Sequence, residues 1–181
     1  MAILRNVELW FARLDPKHPN SKYNKEQPTW ELQIRTDSKA DKEIWEKEAI
    51  NVKLLVGKKG TENEGEPILK DGKKQWYATL RKKSVKRDGS KSDPVNVDGV
   101  GGIKINPNEI GNGSIGHVRT FAREYNLDGQ DKVAHILMDV KVSKLIVYKY
   151  KGSSRENIDD IEGETMEIIN PSEAPIDNDD F

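Results

Sequence analysis

The chain has 181 residues, of which 34% are hydrophobic and 34% are charged, so it can bury one modest core beneath a heavily ionised surface. It contains no cysteine, which excludes disulfides and thiolate metal sites and fits a reducing compartment. No apolar run has the length of a signal peptide or a membrane span, and we therefore expect a soluble, cytoplasmic protein.

The formal net charge of −1 conceals two segments of opposite sign. Residues 152–181 contain ten acidic residues and one arginine, a charge of −9, whereas residues 1–151 contain 29 basic and 21 acidic residues, a charge of +8. A basic body attracts polyanions, and an acidic segment poor in apolar residues does not order itself. We predict a folded domain over residues 1–151 and an acidic, largely flexible C-terminal tail over residues 152–181.

The first predicted elements are two strands and a helix. Apolar side chains alternate over residues 7–11 and 30–34, the period of two expected of half-buried strands. Residues 15–28 contain three prolines with Asn, Ser and Lys, which is typical of a long loop. Ser38 is then a predicted helix N-cap, and Trp45 falls on the apolar stripe of that helix. This position favours a core role for Trp45 over contact with a nucleobase.

A basic cluster follows over residues 70–91, which contain nine basic and two acidic residues. Alternation within residues 75–82 places Tyr77 and Arg81 on the face opposite the apolar one. Such clustering is typical of a phosphate track, although a run of charges can also be a solvated face. The nucleic-acid-binding residues predicted in this region are Tyr77, Arg81, Lys82, Lys83, Lys86 and Arg87.

The glycine-rich residues 88–116 are predicted to form a loop with one short strand at Ile103–Ile105. The next segment, residues 117–125, alternates cations with aromatic rings on one parity of a predicted strand. Cations contact phosphates, and flat rings stack on bases of any identity. The binding residues predicted here are Arg119, Phe121, Arg123 and Tyr125.

A helix remains an alternative over residues 117–125, because the aromatic residues also fit helical spacing and would then lie in the core. The abundance of Val, Thr, Phe and Tyr favours the strand. Residues 135–150 show the longest strand pattern, with a change of parity near Lys144 that indicates a bulge. Short strands, one helix and long loops together predict a mainly β fold, an OB-fold-like five-stranded barrel that binds through a strand face.

No group of residues supports catalysis, a metal site or a cofactor. The three histidines lack the spacing of metal-binding motifs, and the sequence has no GxSxG motif or cysteine nucleophile. We therefore expect a non-enzymatic protein that binds single-stranded DNA without sequence preference. An RNA-binding or strand-annealing factor stays open, and so does a non-nucleic-acid interaction or nuclease-accessory protein.

Several short motifs, taken in order, resemble the single-stranded DNA-binding proteins of tailed bacteriophages. The motifs are Asn6-Val7-Glu8-Leu9, Lys22-Tyr23 ahead of Trp30-Glu31-Leu32-Gln33-Ile34, Ile110-Gly111-Asn112-Gly113-Ser114, Leu137-Met138-Asp139-Val140-Lys141-Val142 and Asp179-Asp180-Phe181. The resemblance implies an OB barrel that binds and protects the displaced strand during phage DNA replication and recombination, in the cytoplasm of the host bacterium. Either Tyr23 or Trp30 could take the family's aromatic position.

The last residue of the tail is a phenylalanine, an unlikely choice for a segment that only increases solubility. The ring and its α-carboxylate could anchor in a basic-rimmed pocket of another protein. The family resemblance implies that the tail recruits DNA polymerase or primase-helicase and occludes the DNA groove when DNA is absent. The predicted partner-binding residues are Asp177, Asp179, Asp180 and Phe181. A homodimer is compatible with the sequence, which does not define the oligomeric state.

Overall fold

The computed structural model describes residues 1–22 and 24–148, and the backbone alone of Glu167–Ile169. This part of the chain contains ten strands and the α-helix α1 (Lys39–Lys47). The strands are β1 (Ala2–Arg13), β2 (Thr29–Thr36), β3 (Lys53–Leu54), β4 (Leu69–Lys70), β5 (Lys73–Lys74), β6 (Trp76–Lys83), β7 (Asn96–Gly99), β8 (Ser114–Leu127), β9 (Gln130–Ile146) and β10 (Glu167–Ile169).

Five of these strands close a barrel in the order β1–β2–β6–β9–β8 and back to β1. Neighbouring strands are antiparallel except β6 and β9, which meet in parallel where Arg81 pairs with Ile136. Outside the barrel, β3 pairs with β6, β7 and β10 pair with β9, and β4 and β5 form a separate hairpin. The predicted mainly β, OB-like five-stranded barrel with one helix is confirmed.

The core fills the barrel with residues that alternate along the regular stretches of the strands, as the pleat of a strand requires, and the alternation shifts where the register shifts. Leu9, Leu32, Ile34, Leu137 and Val140 are 0% exposed. Of the residues that alternation predicts as buried in β1 and β2, Val7, Leu9, Trp30, Leu32 and Ile34 are buried and Phe11 is not. The residues of opposite parity therefore form the outer surface of the barrel, where any contact with a ligand must be made.

The helix α1 begins as predicted, because the Ser38 side chain accepts a hydrogen bond from the Asp41 amide at 3.2 Å. Trp45 is 2% exposed and packs in the hydrophobic core, which confirms its predicted core role. Ile44 projects outward and is 53% exposed, although its spacing places it beside Trp45 on the predicted apolar stripe. The helix is thus attached to the barrel mainly through one aromatic side chain.

Two predictions concern irregular segments, and one of them is wrong. Ile103–Ile105 is not a strand; both residues pack partly buried against the core, and the strand of this region is β7. The bulge predicted near Lys144 is confirmed, since Lys144 pairs with Ile115 while Val142 pairs with Gly116, leaving one extra residue in β9. The acidic tail is predicted to be flexible. Apart from the backbone of β10, its residues lie outside the part of the chain that the structure describes.

Candidate nucleic-acid interface

The β8–β9 hairpin extends beyond the barrel and displays the predicted basic and aromatic residues. The strand prediction for residues 117–125 is confirmed, and the helical alternative is wrong. Phe121 is 45% exposed and Tyr125 is 40% exposed, so neither ring belongs to the core. Exposed rings on a strand can stack on nucleobases, which buried rings cannot do.

One face of this hairpin combines cations with apolar surface. Residues of the same parity on β8 pair directly with partners on β9, and paired side chains lie on the same side of the sheet. The pairs are Phe121 with Ile136, Arg123 with Ala134, Tyr125 with Lys132 and Leu127 with Gln130. We call these eight residues the hairpin face.

Arg119 lies on the same parity but differs from Arg123 in its partners. Its guanidinium forms an ion pair with Asp139 on β9, and its side chain is 46% exposed. Since Asp139 contacts both Nε and a terminal nitrogen of its guanidinium, Arg119 is a weaker candidate for contact with phosphate than Arg123. The sequence did not distinguish the two arginines, because the pairing partner is 20 residues away.

The hairpin face continues into the outer surface of β6. Arg81 pairs with Ile136, and Ile136 pairs with Phe121, so all three lie in one row across β6, β9 and β8. Neighbouring strands are spaced by roughly 4.8 Å, which places the Arg81 and Phe121 backbones about 10 Å apart. Two predicted segments separated in sequence therefore form one surface.

An open groove of about 340 Å³ lies at the β6 end of this row, between the β1–β2 loop (residues 14–28) and the barrel. We call it the loop groove. Its lining residues are Asn20, Asn24, Gln27, Thr29, Glu31, Arg81 and Lys83. A groove at the β1–β2 loop and the second and third barrel strands is where OB barrels bind oligonucleotides.

Glu31 organises the floor of the loop groove. Its carboxylate accepts hydrogen bonds from Asn20 Nδ2 at 3.1 Å, from Thr29 Oγ1 at 3.0 Å and from Arg81 Nε at 2.9 Å. Burial acts to raise the pKa of Glu31, but the hydrogen bonds from Arg81, Asn20 and Thr29 outweigh it, so the pKa is lowered. Glu31 is thus held as a carboxylate beside a cation.

The start of the β1–β2 loop is fastened by Asp15. Asn108 donates from Nδ2 to the Asp15 carboxylate at 3.0 Å, and His18 Nδ1 lies 2.9 Å from the same oxygen. The hydrogen bonds from Asn108, His18 and the Lys17 amide lower the pKa of Asp15 to about 2. The far end is tied to β6, because the Ser84 amide and hydroxyl both donate to the Pro28 carbonyl.

The remaining predicted residues of the basic cluster do not all lie on one face. Tyr77 lies on the outer parity of β6 with Arg81 and Lys83, half-exposed. Lys82 has the opposite parity and pairs with the core residue Trp30. Lys86 and Arg87 are exposed in the turn that follows β6 and are not among the residues that line the loop groove.

Sequence reasoning missed Trp10 and Arg35. The Arg35 guanidinium lies against two rings of β1, with Cζ 3.7 Å from the centroid of the Trp10 ring and 5.3 Å from that of Phe11. Arg35 is 7% exposed, and Trp10 is partly buried with its indole Nε1 shielded from solvent. The signal was present in the sequence, since Trp10 shares the parity of the polar residue Glu8 rather than that of the buried Leu9.

Trp30 does not take the role of an exposed aromatic contact. It is 3% exposed and donates from Nε1 to the Asp15 carbonyl at 2.8 Å. Tyr23, the other residue considered for that role, lies outside the described residues. In residues 1–22 and 24–148, no group of three or more His, Asp or Glu side chains could hold a metal ion, and no helix is long and apolar enough to cross a membrane.

No protein-family model and no curated protein sequence matches the chain. Solved structures do match. The single-stranded DNA-binding protein from bacteriophage Enc34 in complex with ssDNA has 15% sequence identity and a TM-score of 0.48, over 77% of this chain and 84% of that one. The single-stranded DNA-binding protein gp2.5 encoded by bacteriophage T7 has 14% identity and a TM-score of 0.48, over 86% and 94%.

Proposed function

We propose that this protein binds single-stranded DNA without sequence preference, along a path that joins the loop groove to the hairpin face. The observation that carries the proposal is the row from Arg81 through Ile136 to Phe121, because it brings exposed cations and exposed rings onto one outer surface. Phosphates would contact the cations, and bases would stack on the rings of Phe121 and Tyr125. Protection of the displaced strand in phage replication and recombination is the biological role that we infer.

Binding is expected to depend steeply on salt. The exposed cations of the path are Arg81, Lys83, Arg123 and Lys132. Four phosphate contacts on a single strand would give a slope of about −3 for log affinity against log salt. Titration of fluorescent oligo-dT at four salt concentrations measures this slope, and a flat response would contradict the proposed path.

Single variants refine this test. Lys83→Ala should reduce the steepness of the slope by about 0.7, the value of one phosphate contact on a single strand. Lys104, an exposed lysine in the loop that follows β7, is the matched control and should leave the slope unchanged when replaced by alanine. Competition with duplex DNA and with oligo-U separates this function from an RNA-binding or annealing factor.

We further propose that the tail recruits replication proteins, DNA polymerase or primase-helicase, and competes with DNA for the basic surface. The charges of −9 on residues 152–181 and +8 on residues 1–151 support this competition. A short flexible tether gives an effective concentration of about millimolar, which is high enough for a weak contact to matter. The partner-binding residues of this proposal, Asp177, Asp179, Asp180 and Phe181, lie outside the described part of the chain.

Deletion of residues 171–181 should raise the affinity for DNA, most visibly at low salt, because it removes four acidic side chains. Phe181→Ala separates the two proposed roles, since it keeps every side-chain charge. We expect it to leave DNA affinity nearly unchanged and to weaken capture of the polymerase or helicase by about 1.5–3 kcal/mol, the value of a buried Phe side chain. Equal capture of mutant and wild type in a pull-down would contradict recruitment through this ring.

A further inference from the structure

Glu31 joins three separate parts of the chain at one carboxylate. Asn20 belongs to the β1–β2 loop, Thr29 begins β2, and Arg81 lies on β6; each donates a hydrogen bond to Glu31 at 2.9–3.1 Å. The Glu31 side chain is 13% exposed. Such a carboxylate has most of its acceptor capacity occupied and is itself shielded from solvent.

Arg81 is held at its inner end and exposed at its outer end. The bond to Glu31 uses Nε, and the Arg81 side chain remains 55% exposed. A guanidinium has five N–H donors in a rigid plane, so fixing Nε also fixes the direction of the terminal nitrogens. Arg81 lines the loop groove together with Lys83.

An acid in a groove that receives a polyanion is unfavourable by charge alone. Its presence beside Arg81 requires a compensating role. We propose that Glu31 is a positioning residue, which holds Arg81 and the β1–β2 loop so that the loop groove binds a backbone phosphate of single-stranded DNA. This inference rests on the proposed function and adds to it a phosphate subsite and the residue that shapes it.

The direction of the change in DNA affinity distinguishes a positioning role for Glu31 from simple repulsion of DNA by its charge. If Glu31 only repels DNA, Glu31→Gln tightens binding. If Glu31 positions Arg81, Glu31→Gln weakens binding of oligo-dT by about three- to tenfold, because a neutral amide oxygen replaces a charge-assisted acceptor and the amide nitrogen, itself a donor, replaces one of the two carboxylate oxygens. Glu31→Asp keeps the charge but shortens the side chain, and it should also weaken binding.

A double-mutant cycle with Arg81→Ala excludes a role in folding alone. Without Arg81 there is no cation left to orient, and Glu31→Gln should then leave the affinity unchanged or raise it. A variant that merely damages the fold would weaken binding by the same factor in both backgrounds. Thermal melts of all four proteins show whether each is folded at the temperature of the titration.

Glu124 supplies the matched control, since it lies exposed on the β8–β9 hairpin and forms no ion pair within the part of the chain that the structure describes. Glu124→Gln should leave binding unchanged or tighten it. The inference is supported if Glu31→Gln lowers the affinity for oligo-dT in the wild-type background and does not lower it in the Arg81→Ala background. Unchanged or tighter binding, or an equal loss in both backgrounds, overturns it while the proposed function stands. Failure of the wild-type chain to bind oligo-dT would overturn both.

Discussion

Phe121→Ala and Tyr125→Ala should each weaken binding of oligo-dT by about 1–3 kcal/mol, the value of one base stacked on an aromatic ring. The structure predicts this because both rings are exposed, at 45% and 40%, on the hairpin face. Their truncation should leave the thermal midpoint close to that of the wild type, since neither ring packs in the core. Fluorescence titration and thermal melts of the same preparations measure the two effects.

Val133→Ala is the matched control on the same hairpin. Val133 is 37% exposed and pairs with Glu124, so it projects from the opposite face. We expect no change in DNA affinity for this variant. Phe121→Ala and Tyr125→Ala variants that bind as tightly as Val133→Ala would remove the hairpin face from the proposed path.

The inner and outer faces of the barrel strands could be predicted because each strand has one buried side. In β6, alternation alone separated the buried Ala78 and Leu80 from the outward Tyr77 and Arg81. The neighbours of a strand could not be predicted in this way. Arg81 and Phe121 are 40 positions apart, and only the pairing of β9 with both β6 and β8 brings them into one row.

Irregular backbone accounts for one difference between prediction and structure, and long-range pairing accounts for another. Alternation predicts Phe11 as a buried residue, but its φ of 50° and the shift of register between Trp10 and Arg13 turn it out of the inner row. β7 contains Asn, Asp and Gly, which disfavour strands, yet it pairs in parallel with β9 over four residues. Long-range pairing overrides local propensity here.

Two glycines of residues 88–116 have a structural role that the sequence alone does not reveal. Gly116 lies within β8, and a Cβ placed on it would come 2.6 Å from the Lys141 carbonyl oxygen. A Cβ on Gly111 would come 2.5 Å from the Ile146 carbonyl oxygen. These two glycines permit the close approach of β9 and do not serve loop mobility. The sequence could not distinguish the two roles, because a glycine is compatible with both.

Trp30→Ala should lower the free energy of unfolding by about 3–5 kcal/mol, the cost of removing a large aromatic side chain from a core. Trp30 is 3% exposed, and its Nε1 donates to the Asp15 carbonyl at 2.8 Å, so the variant loses both packing and an anchor of the β1–β2 loop. Urea unfolding followed by circular dichroism measures the loss.

Trp30→Phe separates these two contributions, because it keeps most of the ring and removes the donor. We expect a cost of about 0.5–1.5 kcal/mol for the lost hydrogen bond, because the Asp15 carbonyl still accepts a hydrogen bond from the His18 amide. Under conditions where either variant remains folded, it should bind oligo-dT within a few-fold of the wild type, since the ring faces the core and not the groove. A Trp30→Ala protein with wild-type stability and tenfold weaker DNA binding would contradict this expectation, because it would place the Trp30 ring against a base. The resemblance to phage proteins allowed that role, and the burial of Trp30 argues against it.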